Sequence, residues 1–113
     1  MIDTVRPWQG LAGLNGLVAL VMGAIGAHGV QDLYLSMLVE RASLYQLLHA
    51  VLLFVLADKS GRAACVSRCA LQLGIVLFCG SLYLKALLGT PTILAPAGGL
   101  SLMLGWLAVA FIR

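Results

Sequence analysis

Apolar residues fill the chain in four long stretches set apart by short polar breaks, roughly Trp8–His28, Ala42–Ala57, Cys69–Leu88 and Thr92–Ile112. A helix that crosses a bilayer needs about 20 predominantly apolar residues. The second stretch is short when measured from Ala42, but Glu40 and Arg41 extend it as it enters the headgroup region, where Arg can snorkel. The pattern predicts spans of about 8–28, 40–57, 69–88 and 92–112. The fold expected is all-α, an integral membrane four-helix bundle forming one transmembrane domain over residues 1–113.

Composition agrees with that pattern. Hydrophobic residues make up 62% of 113 positions and charged residues 10%, with a mean hydropathy of +1.05. A soluble domain is nearer half apolar and about one-quarter charged. The net charge of +3 rests on seven scattered Lys and Arg, which gives orientation in a bilayer rather than a nucleic-acid surface. Placing the N-terminus inside puts Arg6, Lys59, Arg62, Arg68 and Arg113 on the cytoplasmic side, against Arg41 and Lys85 outside. The positive-inside rule then predicts an N-in, C-in topology. Trp8 and Trp106 fall toward the inner ends of their spans, where amphipathic rings favour the interface. Arg6 and the apolar run up to AIGA could pass for a signal peptide, but the run is long and glycine-rich for one, so the N-terminus is expected to stay.

Small residues recur on one face of the first span at Ala12, Gly16, Ala19, Gly23 and Gly26, in a near-heptad stripe. The fourth span repeats the device with Gly98, Ser101, Gly105 and Ala108. Helices in lipid gain little by hiding apolar surface, and close contact at small-residue seams drives their association. Two such stripes can pack together within one bundle or across protomers, and the intrachain use is expected. Asn15, at the edge of the first stripe, is expected to hydrogen-bond a neighbouring helix.

Polar side chains concentrate in the leaflet that this topology makes the outer one. His28 ends the first span there, Glu40 and Arg41 open the second, Tyr45, Gln46 and His49 follow inward, and Tyr83 and Lys85 close the third. Arg41, Tyr45, Gln46 and His49 share one broad arc of helix. His49 lies about 12 Å along the axis from Arg41, toward mid-membrane, where an ionisable group is functional by default. The alternative is structural, since a neutral histidine bridges helices by donating one ring proton and accepting another. His28, Glu40, Arg41, Tyr45, Gln46, His49 and Tyr83 are the candidate cluster, for a ligand or for structure. Cys65 and Cys69 form no zinc pattern, and a reducing cytoplasm argues against a disulfide. Neither a metal nor a cofactor is expected.

GAIGAHG at 23–29, YQLLHA at 45–50, GSLYLKAL at 80–87 and PAGGLSLMLGW at 96–106 resemble, in order and over nearly the whole chain, a family of small membrane proteins. It is the family of bacterial YgdD and eukaryotic transmembrane protein 256, known as domain of unknown function 423. The matching positions are His28, Tyr45, Gln46, His49, Gly80, Ser81, Tyr83, Pro96, Gly98, Gly99 and Trp106, whereas Lys85 stands where an apolar residue is expected. The resemblance implies a four-helix protein of a bacterial inner membrane and no particular reaction.

Three readings of function follow. The first is a non-enzymatic accessory or scaffold bundle, or a homo-oligomer, in contact with membrane lipids. The second is a small carrier or proton-linked pathway through His28, Glu40, Tyr45 and His49, against which the inner half offers only Asn15 and Gln72, with no continuous polar path in view. The third is a lipid or quinone site in the outer leaflet. No nucleophile–base pair, metal set or phosphate loop points to an enzyme.

Overall fold

A computed structural model describes residues 2–113, with the side chains of the first few residues outside the description. The described chain is helical, without strands. Helix α1 runs Ile2–His28 and α2 runs Leu33–Leu56. Helix α3 is continuous over Arg62–Leu88 but widens to a π-helical turn at Ile75–Cys79. Helix α4 covers Ala95–Val109. The first three are long and apolar enough to cross a membrane, while α4 is shorter.

Local chemistry sets these limits. Asp32 caps α2 by accepting the Leu35 N–H at 3.0 Å, which satisfies one of the orphan donors of a first turn. That cap starts the helix at Leu33, well before the predicted residue 40, and leaves Glu40 and Arg41 two turns inside it. Gly61, with φ of 101°, precedes α3, and Gly89, with φ of 73°, ends it in the left-handed conformation that glycine adopts without strain. The third helix therefore begins at Arg62, earlier than the predicted 69. Pro96 lies in the first turn of α4, where its missing N–H is not needed. The fourth helix is accordingly 15 residues, about 22 Å long, and shorter than the predicted 92–112.

Helix α1 packs along α2, α3 packs along α4, and α2 and α3 meet in the centre. Val39, Ala42, Leu53 and Leu71 are fully buried there, while Leu17, Leu44, Phe54, Leu100 and Leu107 point outward, as a bilayer solvent allows. The contacts between helices are made by small residues and hydroxyls. A Cβ on Gly23 would lie 2.8 Å from Ser43 Oγ, and one on Gly26 would lie 2.9 Å from Val39 Cγ1. Ser43 donates to the Ala19 carbonyl at 2.6 Å, and Ser36 donates to that of Gly26 at 2.7 Å. Across α3 and α4, Gly98 rests on the backbone of Leu77 and Phe78, Gly105 on Leu71, and Gly74 on Leu102. Ser67 donates to the Gly105 carbonyl at 2.8 Å and Ser101 to that of Ala70 at 2.7 Å.

The two predicted stripes thus do not pack on each other. Ala12, Ala19, Gly23 and Gly26 serve α2, and Gly98, Ser101 and Gly105 serve α3, because each helix hairpin brings its own partner first. Gly16 departs from its stripe: nothing lies within 4 Å of the space a Cβ would take.

Candidate functional site

The predicted polar cluster divides into separate groups. His28, Glu40 and Arg41 are exposed, and the Glu40 carboxylate accepts from Ser36 Oγ at 3.2 Å. The remaining four residues, Tyr45, Gln46, His49 and Tyr83, enter two arrangements that also recruit residues from outside the cluster.

The first arrangement is a hydrogen-bonded chain through the interior. Tyr83 of α3 donates to Gln46 Oε1 of α2 at 2.7 Å. The Gln46 amide donates to Asn15 Oδ1 of α1 at 3.1 Å, and the Asn15 amide donates to Gln72 Oε1, back on α3, at 2.7 Å and to the Leu11 carbonyl at 3.0 Å. Tyr83 and Gln72 are eleven residues apart on α3, about 16 Å, so the chain links the two halves of the bundle. The chain uses Asn15 and Gln72, the two inner-half polar residues noted in the sequence, but includes none of His28, Glu40, Tyr45 and His49 and is shorter than the roughly 30 Å core of a bilayer. Every donor runs the same way, from Tyr83 toward Gln72. Amides keep their protons at neutral pH, so such a chain fixes helices in register rather than moving charge.

The second arrangement surrounds His49. Its Nδ1 lies 2.6 Å from the Tyr45 carbonyl, one turn back, and its Nε2 lies 3.0 Å from Trp106 Nε1 on α4. A carbonyl only accepts and an indole N–H only donates. Nδ1 therefore carries the proton, Nε2 accepts, and the ring is neutral in this geometry. The Trp106 and His49 rings meet edge to face at 6.0 Å. Tyr45 stacks on Phe78 with centroids 5.3 Å apart. Phe78 belongs to the π-helical turn of α3, a deviation that often re-aims a side chain at a functional position. Tyr45, His49, Phe78, Gly99, Met103 and Trp106 line a groove of about 650 Å³ on the outer surface of α2, α3 and α4. A second groove of about 570 Å³ shares Phe78, Gly99 and Met103 and reaches Thr92 and Pro96.

Sequence reasoning treated Trp106 as an interface anchor and missed its place here. The sequence carries half of the signal: a tryptophan N–H at membrane depth needs an acceptor, but it does not say which span supplies one. Arg68, which the sequence marks only as one of the orienting charges, has a second place. It is 7% exposed, and its Nη1 donates to the Leu56 carbonyl at 2.8 Å and the Lys59 carbonyl at 2.7 Å. Its guanidinium also lies 5.5 Å from the Trp8 ring centre. A cation at the carbonyl end of α2 complements the helix dipole, and the aromatic face adds to that attraction. Among the described residues its Nε has no partner. Among the described residues, no group of three or more His, Cys, Asp or Glu could hold a metal ion.

An all-helical bundle with apolar spans and hydrogen-bonded polar side chains between its helices defines a membrane protein. The chain belongs to the family described as "Protein of unknown function (DUF423)", which matches residues 22–99. It is 38% identical over 109 residues to the UPF0382 membrane protein SAB0533 of Staphylococcus aureus, covering 86% of each chain. It is 35% identical over 113 residues to the UPF0382 membrane protein YwdK of Bacillus subtilis, covering 88% of this chain and 89% of that one. A UPF0382 membrane protein of Haemophilus influenzae is 30% identical over 114 residues, covering 89% of this chain and 88% of that one. No solved structure matches.

Proposed function

We propose that the chain crosses a bacterial inner membrane four times with both termini inside, and acts without catalysis as a homo-oligomeric or accessory helical bundle. The observation that carries this reading is an uncovered small-residue face. Gly13 and Gly16 lie in a shallow groove of about 290 Å³ between α1 and α2, floored by Ala12 and Ala50 and walled by Leu47 and Phe54. Among the described residues, no atom of another helix lies within 4 Å of a Cβ placed at either glycine. Gly23 and Gly26 have α2 against them; Gly13 and Gly16 are open to a helix from another molecule, the kind of face that associates in lipid. In nanodiscs, Gly16→Leu is expected to keep the helical content and melting of the parent protein while lowering its mass to that of one chain. A parent protein already of monomer mass, and unchanged in pull-downs by the substitution, would end this reading.

A specific observation favours a second reading, the binding of a lipid or quinone. The aromatic groove beside His49 opens outward toward the membrane, while Gln46 and Tyr83 are turned to each other in the interior.

A further inference from the structure

The groove beside His49 has features that filling by ordinary lipid does not need. Its walls are aromatic, with the Tyr45 and Phe78 rings paired on one side and Trp106 on the other. Its floor is Gly99, where a Cβ would meet nothing within 4 Å, so the absence of a side chain there leaves the groove open rather than easing a helix contact. The nitrogens of His49 and Trp106 are committed to each other and to the Tyr45 carbonyl. Tyr45, by contrast, is 42% exposed, and among the described residues its hydroxyl enters no hydrogen bond, which leaves one donor at the rim. The combination of flat apolar walls and one or two oriented polar groups is that of a small-molecule site.

We propose that this groove binds a membrane-dissolved molecule with a planar, carbonyl-bearing ring and a long apolar tail, the quinone class. The ring lies over Gly99 between Phe78 and Trp106, and a ring carbonyl accepts from the Tyr45 hydroxyl. The tail follows Phe78 and Met103 into the adjoining groove toward Thr92 and Pro96. Offset stacking suits a flat ring against these side chains, whereas an acyl chain uses neither the ring faces nor the hydroxyl. The proposal rests on the ligand-binding reading above and narrows it to one chemistry.

The test uses the full chain in phosphatidylcholine vesicles, in a Trp8→Phe background that leaves Trp106 as the sole tryptophan. Decylubiquinone, whose ring absorbs and quenches, is titrated against Trp106 fluorescence. The expected result is saturable quenching above the linear collisional component, unaffected by decanol. Gly99→Leu is expected to remove the saturable part with helical content intact, and Met103→Phe to do the same from the wall. Tyr45→Phe is expected to weaken binding roughly tenfold, the loss of a single hydrogen bond. If decanol competes as well as the quinone, the groove is an acyl site: the ring proposal fails and lipid binding stands. Purely linear quenching in the parent protein overturns the quinone proposal.

Discussion

Single residues in this protein matter through the hydrogen bonds they complete between helices, and His49 shows how to separate that role from a titrating one. Its neutral ring takes the Trp106 proton on Nε2 and gives its own to the Tyr45 carbonyl. Glutamine supplies both an acceptor and a donor but does not titrate. His49→Gln is therefore expected to keep the thermal stability of the parent in detergent. His49→Leu is expected to lose about 1–3 kcal/mol, because it strands an indole N–H with no water to receive it. Equal loss in both variants would show that imidazole itself is required. The donor-and-acceptor possibility for this ring was legible in the sequence, since an isolated histidine on an apolar span has few other ways to be satisfied. Its partner was not, because Trp106 is 57 residues away, and only the packing of α4 across α3 brings it over α2.

At the scale of helices, glycine spacing alone does not say which glycines are packed. Gly16 and Gly23 belong to one heptad-like stripe, yet Gly23 faces Ser43 and Gly16 faces open space. Gly98 faces the backbone of Leu77 and Phe78, which cannot move aside as a flexible side chain can. Gly98→Ala is expected to destabilise the α3–α4 hairpin by about 1–3 kcal/mol, the usual range for overpacking, and Gly16→Ala to leave monomer stability unchanged. Reversible unfolding in mixed micelles measures both, and equal effects would refute the assignment of faces. Hydropathy located all four helices because lipid-facing residues dominate their composition. It placed the ends of α1 at His28 and of α3 at Leu88, and misplaced the starts of α2, α3 and α4, because those are set by polar and backbone chemistry, namely the Asp32 cap, the positive φ of Gly61, and Pro96. The π-helical turn left no sequence mark beyond Gly74 and Gly80 on either side, and it is the contacts of Phe78 and Cys79 with α2 that give it a place. Cys79 Sγ lies 3.3 Å from the Ala42 carbonyl.

For the molecule as a whole, the distribution of charge bears on which end of the bundle faces the cytoplasm. One end gathers Arg6, Lys59, Arg62, Arg68 and Arg113, and the structure gives Arg68 a second task at the end of α2. Setting Arg68 aside still leaves four basic residues against Arg41 and Lys85, and the positive-inside rule keeps its direction. Cys65 and Cys69 are exposed on the basic end, so the protein carries its own reporters there. The opposite end needs one introduced thiol. Gln31 is the suitable position, being exposed and outside the cap that Asp32 makes with Leu35, so its replacement leaves the start of α2 intact. In intact right-side-out cells, a membrane-impermeant maleimide is expected to label Gln31→Cys and to leave Cys65 and Cys69 unlabelled until the membrane is opened. Labelling of the native cysteines first would invert the topology. It would place the α2–α3 loop outside, and with it the basic residues that the rule assigns to the cytoplasm.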